Sequence, residues 1–369
     1  GMPSLECTLN ISTYSVILSI VFFGLFLIST LGNVFVIITI MGKRHLANRS
    51  VTNLYLLNLA VADLLRSLAC IPSTLISELY SCWMLGPTLC KLSAFLQPVG
   101  VCASAYTLAV IAVERYYAIC RPLHSRGWHT KQRAMAMIFF VWAFSLLTNF
   151  VSLFIFDATD YKSHWACETI YAPAPMFFYQ LYLTLVLLFI PLMLMIALYG
   201  NVIYTLNTAI ENNEFNSGML DKKTDRSASI TEWFFSAIKP AKFSETDRIL
   251  LARRKVTRML MTIVFLFAAC WTPNYVWWLI VRFGDAMGLH IWDSDVNALL
   301  TLLTYVSSCT NPITYCFMNK SFRHALLSYF RRAKKKRPVV QQPQNSSPPE
   351  LPAIYRVPRI QIDLVSTTN

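Results

Sequence analysis

The sequence predicts an all-α membrane protein, a seven-transmembrane helix bundle followed by a short amphipathic eighth helix. Three observations carry that prediction. Charged residues are 14% and hydrophobic residues 55% of the chain, whereas soluble proteins carry about a quarter charged, so lipid is the implied solvent. Seven apolar stretches, near 16–41, 53–79, 90–119, 134–156, 176–206, 257–281 and 296–318, each reach the roughly 20 residues that cross a hydrocarbon core of about 30 Å. Three short polar patterns, Glu114-Arg115-Tyr116, Cys270-Trp271-Thr272-Pro273 and Asn311-Pro312-Ile313-Thr314-Tyr315, stand at matching intervals in the third, sixth and seventh stretches.

Taken in order, residues 1–14 form an outer N-terminal segment whose Asn10-Ile11-Ser12 is a glycosylation sequon. No positively charged, cleavable leader precedes the first stretch, so that stretch is expected to serve as its own insertion signal. Pro191, Pro273 and Pro312 lie inside apolar runs and mark kinks, since neighbouring helices can satisfy the freed backbone groups. Basic residues set the orientation. Lys43, Arg44 and Arg49 follow the first stretch, and Arg121, Arg126, Lys131 and Arg133 follow the third; ten more lie between Thr208 and Arg258, and ten from Lys320 onward. The N-terminus is therefore expected outside and the C-terminus inside a plasma membrane. The net charge of +13 reflects this bias and attraction to anionic membrane lipid, and nucleic acid is not an implied partner.

The third inner connection, about 208–253, mixes charges without a long apolar run and is expected to be largely disordered. Phe322, Leu326, Leu327, Tyr329 and Phe330 share one face of the expected eighth helix, which closes the bundle region at 332. Residues 333–369 read as a disordered cytoplasmic tail. Among the cysteines, Cys90 opens the third stretch and Cys167 lies midway in the second outer connection, an oxidising location that predicts a Cys90–Cys167 bridge; the bland alternative is two unpaired thiols. Cys7 and Cys82 also lie outside, leaving a second bridge open.

Ionisable groups in a bilayer are costly and are functional hypotheses by default. Asp63, with Asn33, Ser104, Ser307, Ser308 and Asn311, could form a polar pocket for a sodium ion, a hard cation wanting oxygen ligands, or a purely structural hydrogen-bond network. Arg66 lies one helical turn from Asp63. It either points inward, where it would neutralise Asp63 and compete with sodium, or snorkels along a lipid-facing groove. No other metal site is implied, and no nucleophile or phosphate-binding constellation suggests an enzyme. A transporter or channel would call for internal repeats or paired acids along a pore, and neither is found.

With these motifs the chain resembles the rhodopsin-class G-protein-coupled receptors over roughly residues 15–332. The resemblance implies that Arg115 is held by Glu114 at rest and released to contact a heterotrimeric G protein, with Tyr116 completing the triplet. It implies also that Trp271 transmits ligand contact to the kink at Pro273, and that Tyr199 and Tyr315 swing inward beside Asn311 and Pro312. Arrestin and receptor kinases are the implied partners of the tail. Gln97 occupies the place where amine receptors carry an acid, and Tyr305 the place of the opsins' lysine.

Runs such as Pro122-Leu123-His124-Ser125-Arg126-Gly127-Trp128-His129-Thr130-Lys131 and Tyr305-Val306-Ser307-Ser308-Cys309-Thr310-Asn311-Pro312 resemble the cholecystokinin, gastrin and sulfakinin receptors. That likeness implies an extracellular, amidated neuropeptide ligand. The orexin and neuropeptide FF receptors are the second choice. Expected ligand-binding residues are Gln97, Glu168, Tyr179, Gln180, Trp271, Tyr275, Trp278, Arg282 and Tyr305. The outer half departs from the pattern: Glu168 replaces a basic residue, and Glu78, Asp157, Asp160, Glu168, Asp285, Asp293 and Asp295 outnumber the bases near the mouth. That excess favours a neutral or basic peptide over a sulfated acidic one. Arg253 stands where some relatives place an acid that restrains Arg115, so appreciable basal activity is expected.

Overall fold

Each of the seven apolar stretches is a helix in the computed structural model, which describes residues 12–42, 51–80, 82–125, 129–161, 164–224 and 245–318. Helix α1 is Thr13–Met41, α2 Val51–Leu79, α3 Gly86–Cys120, and α4 Lys131–Asn149 with a further turn at Ser152–Ile155. Helix α5 starts as Pro173–Leu183, passes through a π-helical segment Thr184–Phe189 and continues as Ile190–Thr224. Helix α6 is Glu245–Ala286 and α7 is Ser294–Met318. Lipid offers no partner for backbone N–H and C=O groups, so a spanning segment must satisfy them within itself.

Among the described residues, six helices, α1 to α6, are long and apolar enough to cross a membrane on their own composition. The 25-residue α7 falls short of that measure. The reason is its inner face: Thr304, Ser307, Ser308, Asn311 and Thr314 are all buried, turned toward the other helices. The outer surface shows the reverse pattern, with Ile20, Leu31, Phe139, Ile196, Phe265 and Phe317 exposed. The bundle is thus apolar outside and partly polar within.

Helix α3 runs through the middle, with Val99, Val101, Cys102, Ala103, Ala105, Leu108, Ala109, Ile111 and Ala112 buried; the small residues among them let neighbouring helices approach. Asn58 of α2 donates to Thr107 Oγ1 of α3 at 2.8 Å and accepts from Trp142 Nε1 of α4 at 2.8 Å, so one amide fastens three helices. Asn33 of α1 donates to the Ser308 carbonyl of α7 at 3.0 Å. Beside it, a Cβ on Gly32 would stand 2.9 Å from the Cβ of Pro312, so α1 and the kinked part of α7 can approach this closely only over a glycine.

The π-helical segment of α5 ends two residues before Pro191, the proline expected to kink it. Pro191 has no N–H to donate back along the helix, and its ring crowds the preceding turn. The helix widens there: Ile190 N–H bonds the Leu185 carbonyl, and Tyr106 Oη of α3 donates to the Val186 carbonyl at 3.0 Å.

Between α4 and α5 the chain folds into an antiparallel hairpin, β1 Phe156–Tyr161 and β2 His164–Thr169, with Ala158 opposite Cys167. Sequence reading placed a connection here but not the hairpin. Cys167 is bonded to Cys90 in the first turn of α3, with 5.6 Å between the Cα atoms, which overturns the alternative of two free thiols. Trp83 N–H bonds the Trp165 carbonyl at 2.7 Å and anchors the hairpin a second time. Cys82 is disulfide-bonded as well, while Cys7 lies outside the described residues.

One expectation needs correction: residues 208–224 and 245–253, assigned to a disordered connection, continue α5 and α6 as helix. Good helix formers such as Ala209, Glu211, Met219, Leu220, Leu251, Ala252, Arg253 and Arg254 favour propagation beyond the apolar run, which marks only where lipid ends. Residues 225–244, the Asn10 sequon, the expected eighth helix and the tail lie outside the described residues. Cys90→Ser is expected to lower the stability of the purified protein by about 2–4 kcal/mol, because the cross-link constrains the unfolded chain; a thermal melt equal to wild type would show that the hairpin needs no bridge.

Candidate functional site

At the hairpin end of the bundle the helices separate around a cavity of about 270 Å³. Its wall comprises Ala94, Gln97, Pro98 and Val101 of α3, Phe156 and Thr169 of the hairpin, and Met176, Tyr179, Gln180 and Leu183 of α5. Trp271, Asn274, Tyr275, Trp278 and Arg282 of α6 complete it. Seven of the nine residues expected to bind ligand therefore meet on one cavity: Gln97, Tyr179, Gln180, Trp271, Tyr275, Trp278 and Arg282. Glu168 and Tyr305 do not line it. Glu168 is exposed on the hairpin, its carboxylate accepting from Thr159 Oγ1 at 2.6 Å, and its neighbour Thr169 faces the cavity instead. Tyr305 is fully buried between α1 and α2, bonded to Thr74 Oγ1 at 2.7 Å.

Several of the charges at this end are engaged within the protein. Arg282 pairs with Asp285 at 3.6 Å and lies over the Trp278 ring, 5.1 Å from its centroid. Asp157 and Glu168 stand directly opposite in the hairpin register, an arrangement that like charges disfavour. Lys91 relieves it at 3.0 Å from Asp157 Oδ2, a hydrogen bond that holds this carboxyl below the usual carboxylate range. Asp293 caps α7, accepting from the backbone N–H of Asp295 and Val296 at 3.0 Å each. The acids that outnumber bases in the sequence are absent from the cavity wall, whose single charged side chain is Arg282.

Polarity inside the cavity comes from carboxamides. Gln97 and Gln180 were expected there; Asn274 was not, and its buried Oδ1 has no hydrogen-bond partner among the described residues. Tyr179 Oη shares a 2.6 Å hydrogen bond with Ser152 Oγ, which ties α5 to the end of α4. At the floor, the Trp271 ring lies 5.9 Å from Tyr275 and 6.2 Å from Phe267, and its Nε1 donates to Ser307 Oγ of α7 at 3.1 Å.

Below Trp271 lies the polar core. Asn311 Nδ2 donates to Asp63 Oδ2 at 2.6 Å, while Asp63 Oδ1 is 3.9 Å from Arg66 Nη1. Arg66 points inward, 1% exposed, and its guanidinium donates to Ser308 Oγ at 3.0 Å, Ser307 Oγ at 3.5 Å and the Thr304 carbonyl at 3.2 Å. Its Cζ stands 4.6 Å from the Trp271 ring centroid and 5.8 Å from that of Tyr305. Space for its stem comes from Gly100 of α3, where a Cβ would collide with Arg66 Cγ. The expected sodium ligands Asp63, Ser104, Ser307 and Asn311 do converge here, but the void they leave is only about 10 Å³. That is room for about one water, next to a guanidinium that bonds Ser307 and faces the Asp63 carboxylate. Ser104 and Asn311 line the void with a buried Oγ and Oδ1 that have no hydrogen-bond partner among the described residues, but Arg66 already supplies the positive charge that a sodium ion would bring.

At the far end, Arg115 donates to Glu114 Oε2 at 3.5 Å and, more closely, to Thr52 Oγ1 of α2 at 2.6 Å. Glu114 Oε1 is 3.0 Å from His129 Nδ1, just before α4, so the acid is shared between two bases. Thr52 and His129 had no recognisable signal in the sequence, being an ordinary threonine and a loop histidine brought in by packing. Tyr116 stacks edge-on against Tyr117, and Tyr199 and Tyr315 are buried beneath the triplet's end of the bundle.

Seven helices that part at one end around an aromatic cavity, and carry a Glu-Arg-Tyr triplet at the other, define a seven-helix membrane receptor. The family model of the 7 transmembrane receptor (rhodopsin family) matches residues 32–315, and the chain belongs to that family, whose members are receptors and not enzymes. It is similar to a cholecystokinin receptor of Xenopus laevis, 30% identical over 83% of this chain and 75% of that protein. Human cholecystokinin receptor type A is 31% identical over 83% and 78%, and the mouse gastrin/cholecystokinin type B receptor 29% over 100% and 89%.

Gly100→Ala, which drives a methyl group into the Arg66 stem, is expected to destabilise the protein by about 1–3 kcal/mol. Gly24→Ala, with nothing within 4 Å of the added atom, should be neutral or stabilising by up to ~1 kcal/mol. Melting curves of the two variants check the contrast, and equal curves would place the Arg66 stem elsewhere.

Proposed function

We propose that the chain is a plasma-membrane receptor for an extracellular, C-terminally amidated neuropeptide of the cholecystokinin, gastrin and sulfakinin type. In this reading the N-terminus and the hairpin end face outward, and the triplet end couples to a heterotrimeric G protein. The observation that carries it is the cavity wall. Three carboxamides, Gln97, Gln180 and Asn274, and five aromatic rings, Phe156, Tyr179, Trp271, Tyr275 and Trp278, surround one cation. A peptide end offers matching groups: amide N–H and C=O for the carboxamides, an apolar or aromatic side chain for the rings, and a carbonyl or carboxylate for Arg282.

The preference for a neutral or basic peptide was drawn from the acid excess; of those acids Asp157 pairs with Lys91, Asp285 with Arg282 and Glu168 with Thr159, Asp293 caps α7, and none lines the cavity. Arg282 makes an acidic residue near the peptide terminus acceptable. Exposed Glu168 would accept a basic group on the peptide, and another amidated-peptide receptor, of the orexin or neuropeptide FF type, is the second reading. On the inner side, release of Arg115 from Thr52 and Glu114 would free a cation for the G protein. The tail would supply sites for receptor kinases and arrestin, and the basic inner face would rest on anionic lipid.

A dose-response panel of amidated peptides and their free-acid counterparts, read as G-protein signalling in cells, tests the proposal. At least one amidated peptide of the cholecystokinin type should signal, and Arg282→Ala should reduce its potency roughly 10- to 100-fold, as expected for one charge-assisted hydrogen bond. Response to basic peptides alone would move the assignment to the second type, and response to amines alone would reject a peptide ligand.

A further inference from the structure

We infer that the guanidinium of Arg66 is the resident cation of the bundle core, standing where a diffusible monovalent cation would bind among Asp63, Ser104, Ser307 and Asn311. The fold is therefore indifferent to sodium. Charge balance comes first: the Arg66 and Asp63 side chains are 1% and 3% exposed and lie 3.9 Å apart, so the core already holds one positive and one negative charge. A second cation would sit within a few ångströms of the first, in a medium that screens poorly.

Ligand geometry comes second. A hard cation needs several oxygen donors at once. Here Ser307 Oγ accepts from Arg66 and from Trp271, Ser308 Oγ accepts from Arg66, and Asp63 Oδ2 accepts from Asn311. Among the described residues, Ser104 Oγ and Asn311 Oδ1 are left without a hydrogen-bond partner, too few for a hard cation once Ser307, Ser308 and Asp63 Oδ2 are engaged. The void that remains, about 10 Å³, is about one water in size, so an ion could enter only after shedding its hydration shell.

The chain also makes a place for the arginine. Gly100 admits its stem, the Trp271 and Tyr305 rings flank its head, and the Thr304 carbonyl takes one of its N–H groups. An accidental inward rotamer would not find a missing Cβ, two aromatic faces and three oxygen acceptors. The arginine reaches further than an ion could, since it touches both Asp63 of the core and Trp271 of the cavity floor. It is a fixed bridge between the cavity and α7, where a bound ion would come and go.

The test needs no ligand. The full chain in detergent is melted in sodium chloride and in choline chloride at equal ionic strength. The wild-type melting temperatures should coincide. Arg66→Leu and Arg66→Gln, which leave the Asp63 carboxylate without its cation, should melt lower than wild type in choline and recover by roughly 2–4 °C in sodium. A sodium-specific rise in the wild type that Asp63→Asn abolishes would overturn the inference. So would folded Arg66 variants that gain nothing from sodium. If neither variant folds in either salt, the wild-type comparison alone decides.

Discussion

The buried pairing of Asp63 with Arg66 constrains everything around it. Two ionised side chains can stay inside an apolar bundle only if each finds compensation, because breaking such a pair leaves a charge whose burial costs about 3–5 kcal/mol. The compensation is drawn from four helices: α2 supplies both charges, α7 supplies Thr304, Ser307, Ser308 and Asn311, α6 supplies the Trp271 face, and α3 supplies the gap at Gly100. The polarity that makes α7 a poor membrane helix by composition follows from this demand. A more apolar α7 would leave the guanidinium only Asp63 and the main-chain carbonyl at 304.

From that core the functional ends are reached by short steps. Trp271 is at once the cavity floor, the ring beneath Arg66 and a donor to Ser307, so a ligand that tilts it disturbs the contacts that hold α6 against α7. Pro273 two residues on, and Pro312 one residue past Asn311, are weak points in the same helices. At the other end Arg115 is held by α2 through Thr52 more tightly than by its neighbour Glu114. A two-state bundle needs such an arrangement: discrete contacts that can be exchanged, carried on helices able to bend.

Much of this was legible in the chain because lipid simplifies the problem. Apolar runs of sufficient length must be helices, their polar residues must turn inward, and the helix ends predicted from the runs fall within a few residues of those observed for α1 to α4 and α7. Cys90 and Cys167 could be paired because only an outer location lets a bridge persist. What stayed hidden depends on which side chains meet across helices. The inward choice of Arg66 rests on Gly100, a residue 34 positions away with no pattern of its own. Tyr305 was assigned to the cavity by position on its helix, but the Thr74 hydroxyl and the arginine draw it into the core. The acid excess at the mouth is a related case: composition counts charges, whereas pairing decides which of them a ligand meets.

Unfolding free energies for wild type, Asp63→Asn, Arg66→Leu and the double variant, combined as a double-mutant cycle, test the pairing most directly. If the two charges sustain each other, the double variant loses less stability than the two single losses together, with a coupling of about 1–3 kcal/mol. Additive losses, within ~0.5 kcal/mol, would mean that Asp63 and Arg66 are held independently and that the core does not rest on their attraction.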